Sequence, residues 1–551
     1  MNFVGKEYRL SVILPWIGRV VEGYKSRLVV SVFLGWIGVV LNFAFVWLAK
    51  LIVDTATAGH NHSSLLTACV VLMAVVVLQI ATTAVNRRVR TLTAFKMNRR
   101  MQEALLQRAV RARIDVMSRY HTGDLVRRFM TDGEAVVAFV SGTLPALAYV
   151  VLQIVGAYVF LAILEWHTAV ALALIMAVGG IAGRWHFQKI RRFSARIKEG
   201  GSMLQGALQE GLQNLPLLKS LAGRSLFQEY YARLFSVQEG NIRRRLGYTV
   251  VSSSVLSLGF AACYLLVFVW GAFSIEAGTI TYGTLIAFVQ LVGQIQGPSR
   301  TLINSISDFA EFYTSCERLN EIDAIPADEE EKVVVSLPLE SPDIVCEDVS
   351  FGYEDGHNVI NAFSHRFIAG EFCVIAGATG AGKTTLMRLL LAYAKPQTGS
   401  LALAYGDDKK IPISSATRGA FAYVPQGDTL FGMTLRENLL LANPAATDAQ
   451  MLQALEWACA DFAVQSPEGL NTICGEAGRG MSQGQAQRVC IARALLSKAP
   501  VLLMDEATSA LDRETEEQVI ANIRRHSVGK TILFISHRDT AVKFADDVVR
   551  F

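Results

Sequence analysis

Six long apolar runs mark the first part of the chain: Leu28–Val53, Leu65–Val85, Val136–Leu164, Ala169–Gly183, Val250–Ile275 and Thr284–Ile306. Lys50 is the one charged residue in the first run, and Leu65–Val85 has none. A helix needs about 20 mainly apolar residues to cross about 30 Å of hydrocarbon. Most of the runs reach that length; the fourth does so only if it continues through His186. The pattern predicts six transmembrane helices, near residues 28–53, 65–85, 136–164, 169–186, 250–275 and 284–306. Six such runs in one chain argue against buried helices of a soluble core.

The polar segments between the runs predict the orientation. Asp54–Ser64 is short and has no Lys or Arg, whereas Asn86–Asp132 and Lys189–Arg245 are long and rich in both. Positive charge stays on the cytoplasmic side. The two long segments are therefore expected inside, and Asp54–Ser64, Glu165–Thr168 and Glu276–Tyr282 outside. An even number of crossings places both termini in the cytoplasm. The long segments are nearly free of proline and carry apolar residues at helical spacing, such as Met101, Leu105 and Ala109. They read as helices continuing past the bilayer.

After Phe312 the apolar block ends, and Ala324–Asp343, with three prolines and the acidic run Asp328–Glu331, reads as a solvated linker. The remainder, 344–551, alternates short apolar runs with helical segments, the pattern of an α/β domain. The chain therefore divides into an all-α membrane domain (1–323), a linker (324–343) and an α/β domain (344–551).

Composition agrees with this division. Hydrophobic residues make up 52% and charged residues 18% of the chain, below the roughly 25% of soluble domains. The mean hydropathy is +0.34. A net charge of +4 in a membrane protein reflects the loop bias rather than nucleic-acid binding. The eight cysteines are scattered, without a CxxC pair or clustered histidines, which argues for reduced thiols and against a zinc site or a disulfide framework. Met1–Ser26 mixes charged and apolar residues like an amphipathic helix, so no cleavable signal peptide is expected.

The chemistry lies in the α/β part. The strand-like run Phe372–Ala376 leads into Gly377-Ala378-Thr379-Gly380-Ala381-Gly382-Lys383-Thr384-Thr385 and then a helical segment. This is G-x-x-x-x-G-K-[ST] in strand–loop–helix context. Its glycines let backbone N–H groups surround phosphate at a helix N-terminus. Lys383 is placed for the β- and γ-phosphates of ATP, and Thr384 for Mg²⁺. Downstream, Val501–Met504 deliver Asp505 and Glu506 to a strand end. Asp505 is expected on Mg²⁺ and Glu506 on the attacking water, because phosphoryl transfer depends mainly on positioning and charge stabilisation. A third strand, Thr531–Ile535, ends at His537, a candidate γ-phosphate contact.

Met481-Ser482-Gln483-Gly484-Gln485, with Arg488 and Ala492-Arg493-Ala494, resembles the signature motif of the ABC transporter family, though Gln483 stands where the family has Gly and Met481 where it usually has Leu. The resemblance implies that Ser482, Gly484 and Gln485 serve the ATP held by a second cassette. It implies adenine stacking for Tyr353, Mg²⁺ contact and coupling for Gln426, communication between paired sites for Ser509–Asp512, and the exporter-type segment before the signature for Gly475–Gly478. His121–Arg128 with Asp132, and Leu212–Arg224, are similar to the two coupling segments of exporter-fold half-transporters. Related cassettes usually continue past the strand-like run Asp547–Phe551.

The resemblance thus implies a dimer: a homodimer with two competent sites, or alternatively a heterodimer with a related half-transporter. The expected activity is ATP hydrolysis coupled to alternating access in a bacterial inner membrane, with the cassette cytoplasmic. The expected substrate is hydrophobic or amphipathic: a lipid, a lipid-linked molecule, a drug or a peptide. The few acids within the runs disfavour a cationic one. An exporter-fold importer and an ATP-gated channel or sensor are the alternatives; a soluble nucleic-acid-acting protein is opposed by the apolar runs.

Overall fold

A computed structural model describes residues 10–551 apart from 60–61, 121, 222–223, 329–337, 339, 354–357, 407–408, 428 and 476–479. The chain forms two compact units. One comprises Met1–Leu106 and Gly123–Asp323, the other Gln107–Thr122 and Ala324–Phe551.

The first part of the chain is helical: α1 (Leu10–Val21), α2 (Lys25–Ala58), α3 (His62–Arg111), α4 (Ile114–Met117), α5 (Thr122–Arg127), α6 (Gly133–Ala138), α7 (Leu144–Leu164), α8 (Trp166–Gln213), α9 (Leu215–Ser220), α10 (Arg224–Glu276) and α11 (Tyr282–Asp323). Two π-helical turns, Arg128–Asp132 and Phe139–Thr143, interrupt the α5–α7 stretch. Among the described residues, four helices are long and apolar enough to cross a membrane: Lys25–Ala58, His62–Arg111, Thr122–Leu164 and Ser225–Glu276. The fourth expected run opens α8 with the shorter apolar stretch Trp166–Ile175. The sixth lies in α11, which carries Gln290, Gln294, Gln296, Pro298 and Arg300. Packing explains that polarity, since Ala287, Phe288, Leu291, Val292 and Ile295 of α11 are all buried in the bundle core. A helix enclosed by protein has less need of an apolar surface.

Small residues set how closely the helices approach. A Cβ on Gly35 of α2 would lie 2.5 Å from the Tyr149 ring of α7, and one on Gly156 of α7 would lie 2.6 Å from the Phe43 ring of α2. Each glycine seats an aromatic ring from the opposite helix, the close packing that lipid-embedded helices use in place of a hydrophobic driving force. The helices also run well past the bilayer: α3 has 50 residues and α10 has 53, or about 75–80 Å at 1.5 Å per residue.

The second unit holds β1 (Asp343–Gly352), β2 (Asn358–Phe367), β3 (Phe372–Ala376), α12 (Lys383–Leu390), β4 (Thr398–Tyr405), β5 (Lys409–Pro412), β6 (Phe421–Val424), α13 (Leu435–Leu440), α14 (Asp448–Trp457), α15 (Asp461–Gln465), α16 (Gln483–Leu496), β7 (Val501–Asp505), α17 (Arg513–His526), β8 (Thr531–Ile535), α18 (Asp539–Val542) and β9 (Asp547–Arg550). β1, β2, β4 and β5 form an antiparallel sheet ordered β2-β1-β4-β5; the others form a parallel sheet ordered β6-β7-β8-β3-β9. β7 and β8 are buried at every position. Alternate residues along them enter two different cores. Leu502, Met504, Ile532 and Phe534 pack with α14, α16 and α17, while Val501, Leu503, Leu533 and Ile535 pack with α12 and the antiparallel sheet. A strand covered on both faces reads as a continuous apolar run, as these do.

Two expectations change here. Residues 107–122 belong with the second unit, not with a membrane domain running from 1 to 323. Backbone bonds from Arg113 N–H to Pro326 O (3.1 Å) and from Asp328 N–H to Arg111 O (2.9 Å) hold them there, and Arg108 donates to Ile325 O. The start of the linker is accordingly fixed, and Asp328 is not a solvated acid: it pairs with Arg418 at 2.7 Å. Glu329, Glu330 and Glu331 lie outside the described residues. The fold also gathers one His/Cys/Asp trio that the scattered sequence positions did not suggest. Asp547 Oδ2 accepts from His365 Nε2 at 3.0 Å and from Cys373 Sγ at 3.6 Å.

Candidate active site

The site gathers at the carboxyl ends of the parallel strands, where doubly wound sheets bind ligands. β3 ends at Ala376, and the loop turns through Gly377 (φ 158°), Gly380 (φ 86°) and Gly382 (φ 102°) into α12. The last two values lie in the left-handed region that favours glycine. Within the loop, Lys383 Nζ donates to Gly377 O (2.9 Å) and Ala378 O (2.8 Å). The ammonium therefore lies inside the loop that Gly377, Ala378, Thr379, Gly380 and Ala381 form around it. Thr384 Oγ1 donates to Asp505 Oδ1 at 3.2 Å, which joins the loop to the end of β7.

Asp505 is fully buried, and its Oδ2 has no hydrogen-bond partner among the described residues. Burial pushes its carboxyl above the ordinary carboxylate range; the Thr384 hydrogen bond opposes that and the Glu506 charge adds to it. An orphaned buried carboxylate oxygen beside a threonine hydroxyl is a hard oxygen donor set that fits Mg²⁺.

Glu506 follows in the left-handed region (φ 50°), rare for a residue with a side chain. Its N–H donates to Ile535 O (3.1 Å), so β8 holds this strained backbone in place. Its carboxylate is held from two sides: Gln426 Nε2 donates to Oε2 at 2.8 Å, and His537 Nε2 lies 3.0 Å from Oε1. Gln426, assigned to Mg²⁺ by resemblance, thus has its amide on Glu506. Tyr353 stands beside the loop helix, its hydroxyl 3.2 Å from Arg388 Nη1 and 3.5 Å from Thr385 Oγ1, with the ring half exposed.

The signature residues sit elsewhere. Ser482 caps the N-terminus of α16 in a capping box: Gln485 N–H donates to Ser482 Oγ (3.2 Å) and Ser482 N–H to Gln485 Oε1 (2.9 Å). Gln483 occupies the first turn with its side chain exposed. A Cβ on Gly484 would lie 3.1 Å from Ala510 O, so glycine is needed where α16 approaches the Ser509–Asp512 loop. Asp512 caps α17 through Thr515 N–H (3.0 Å). Glu476, Ala477 and Gly478, in the segment before the signature, lie outside the described residues.

Two residues in this arrangement, Gln487 and Arg538, went unnoticed in the sequence. Gln487 is buried and bonds Ser509 Oγ (3.1 Å) and Ala510 N–H (3.0 Å). Arg538, next to His537, donates to Leu511 O (2.8 Å) and Ser509 O (3.0 Å). The Ser509–Asp512 loop is therefore held from the signature helix and from the end of β8. Arg493 of α16 donates to Thr429 O (3.1 Å), tying the loop that carries Gln426 to the same helix. The adjacency of Arg538 to a site histidine was the available signal for one of the two.

Residues 28–299 match the ABC transporter transmembrane region family and residues 360–509 match the ABC transporter family. The chain belongs to the ABC transporters. A Bacillus subtilis protein described as a multidrug export ATP-binding/permease protein is 26% identical over 96% of this chain and 93% of its own length. The leukotoxin translocation ATP-binding protein LktB of Mannheimia haemolytica is 27% identical over 96% of this chain and 74% of its own length. Among solved structures, a bacterial Atm1-family ABC exporter with ATP bound superposes with a TM-score of 0.81 at 22% identity, over 96% of this chain and 94% of that one, a likeness of fold. This ABC transporter is thus a multi-pass membrane protein with an ATPase coupled to transport, in a family whose half-transporters work as dimers.

Proposed function

We propose that the chain is half of a homodimeric exporter of hydrophobic or amphipathic molecules, powered by Mg²⁺-dependent ATP hydrolysis at two shared sites. The observation that carries this reading is the Glu506 carboxylate, held between Gln426 and His537 beside the Thr384–Asp505 pair. Export, rather than import, follows the relatives, which are named for multidrug export and toxin translocation.

In this reading Lys383 leaves its loop carbonyls for the β- and γ-phosphates, and the backbone of Gly377–Thr385 surrounds them. Tyr353 stacks on the adenine. Thr384 and Asp505 hold Mg²⁺, which when bound neutralises charge building on the phosphates. Glu506 orients the attacking water and takes up its proton, while His537 contacts the γ-phosphate. Ser482, Gly484 and Gln485 complete the site of the second copy, with Asp512 communicating between the two sites.

The remaining expectations belong to the same reading: six spans, an inner-membrane location, and a cytoplasmic cassette and termini. The segments at 121–132 and 212–224 act as coupling elements. Leu212, Leu215, Leu217 and Leu221 are exposed around the second. The first is internally braced: Arg128 pairs with Asp124 and with Glu321 of α11, both at 2.7 Å.

The test is Glu506→Gln in purified protein. Its ATPase rate is expected to fall by about 100-fold or more, with ATP still bound and ATP-driven uptake into inside-out vesicles abolished. Wild-type hydrolysis by this variant would remove Glu506 from the mechanism.

A further inference from the structure

The helical unit contains a cavity of about 720 Å³ between α2, α3, α7 and the π-helical turn Phe139–Thr143. Its lining includes two basic side chains, Arg87 and Arg90, and no acidic one. Some arginines of the same unit are paired, Arg99 with Glu103, Arg127 with Asp124, and Arg128 with Glu321. Arg87 and Arg90 make no ion pair or hydrogen bond among the described residues. Asp308 accepts a bond from Thr143, next to Gly142, but does not line the cavity.

The local backbone is shaped to admit a guanidinium. A Cβ on Gly142 would lie 3.2 Å from Arg90 Nη2, so Arg90 reaches across from α3 to a turn that offers it space. π-Helical turns inside α-helices recur at functional sites, and this one also brings Ser141 to the lining. Further along α3, Gln79 donates to Asn42 of α2 at 2.6 Å, both facing the cavity. Gln79 is about 16 Å along the helix axis from Arg90. Around that depth Val77 and Ile80 are exposed. The cavity is thus basic at one end, polar but uncharged further along, and flanked by apolar surface.

We infer that this cavity takes amphipathic anions, the acidic head group bound by Arg87 and Arg90 and the apolar body lying toward Gln79 and beyond. Guanidinium forks match carboxylate, sulfate and phosphate oxygens in bidentate fashion, and both arginines follow directly on the apolar run Leu65–Val85, where a head group would lie beside an apolar body. The inference rests on the transport reading and names its substrate class. The head group could come from a lipid of the bilayer or from a soluble amphiphile.

The experiment uses the full-length protein in phosphatidylcholine liposomes, with three soluble probes of equal chain length: decyl phosphate, decyl maltoside and decyltrimethylammonium. Decyl phosphate is expected to stimulate ATPase and to be taken up with ATP, with decyltrimethylammonium doing neither. A second arm replaces part of the phosphatidylcholine with phosphatidylglycerol; stimulation without any soluble probe identifies a lipid source for the same chemistry. Arg87→Gln/Arg90→Gln raises the half-stimulating concentration of the anion by about tenfold or more. Arg87→Lys/Arg90→Lys keeps the preference for anion over cation, and Arg243→Gln, outside the lining, leaves the half-stimulating concentration unchanged. Equal response to anion and cation, or an unshifted double Gln variant of wild-type elution profile, overturns the inference. Absence of ATP-driven flux for every probe would instead count against transport itself, a separate result.

Discussion

In the cassette unit, Thr384, Asp505, Glu506 and His537 meet at the ends of strands or loops anchored to them, in a sheet whose strands β7 and β8 are buried throughout. In the helical unit, Asn42, Gln79, Arg90 and Ser141 line one cavity, spread along the lengths of helices, with apolar neighbours exposed beside them. In the first region a residue's place in the linear motif nearly determines its place in space, because a short strand delivers the next residue to a defined edge. In the second, a residue's place depends on helix rotation and crossing, set by contacts such as Tyr149 over Gly35. Tight local motifs belong to the first kind of site, and partners distant in sequence to the second.

The sharpest challenge to this contrast is Gly484, a cassette residue whose role is nonlocal packing. Gly484→Val overpacks against Ala510 and Leu511; displacement of the Ser509–Asp512 loop that raises the barrier by about 2 kcal/mol would be read as a roughly 30-fold fall in ATPase rate. ATP affinity of the single cassette should hold, because Lys383 and its loop are untouched. If the rate stays at wild type, close approach at Gly484 is irrelevant to catalysis.

A smaller effect concerns Asp505, whose carboxyl burial pushes above the ordinary range. In the proposed mechanism its ionised form holds Mg²⁺, so metal affinity should be lost as pH falls through this raised pKa. The half-saturating Mg²⁺ concentration for ATPase should rise by about tenfold per pH unit once protonation sets in, and Asp505→Asn should flatten that dependence. A wild-type Mg²⁺ requirement that is flat over the same range as Asp505→Asn would exclude the carboxyl as the group responsible.

The smallest expected effect probes the helical unit. Gln79→Leu leaves Asn42 without its partner and should cost about 0.6 kcal/mol, as interhelical hydrogen bonds in membranes do. Adding Asn42→Leu should recover most of that in thermal denaturation. If the pair serves the substrate rather than the bundle, both variants shift the half-stimulating concentration of decyl phosphate instead, and stability stays level.

Much of the site was legible in the sequence because the chemistry demands local spacing. The run Gly377–Thr385 needs its glycines where the chain turns left-handed, and Asp505–Glu506 need a buried strand ahead of them. What stayed hidden was contact across distance. The bond from Gln426 to Glu506 joins residues far apart in the chain, and Gln487 and Arg538 bracket Ser509–Asp512 from two different elements. Asp328 read as a solvated acid because linear composition does not register Arg418. The apolar runs were visible from their length alone, but α11 owes its polar content to burial among its neighbours, which no run length records.

The amino-acid order by itself determined that part of the chain faces lipid and that another part binds ATP, since hydrocarbon thickness and phosphate geometry act on short stretches. Tertiary structure decided that residues 107–122 belong with the cassette and that Glu506 is gripped from two sides. It also brought two unpaired arginines to one end of a cavity between α2, α3 and α7. The reason is physical: local backbone preferences and burial act over a few residues, whereas packing and charge pairing act over ångströms, whatever the separation in the chain.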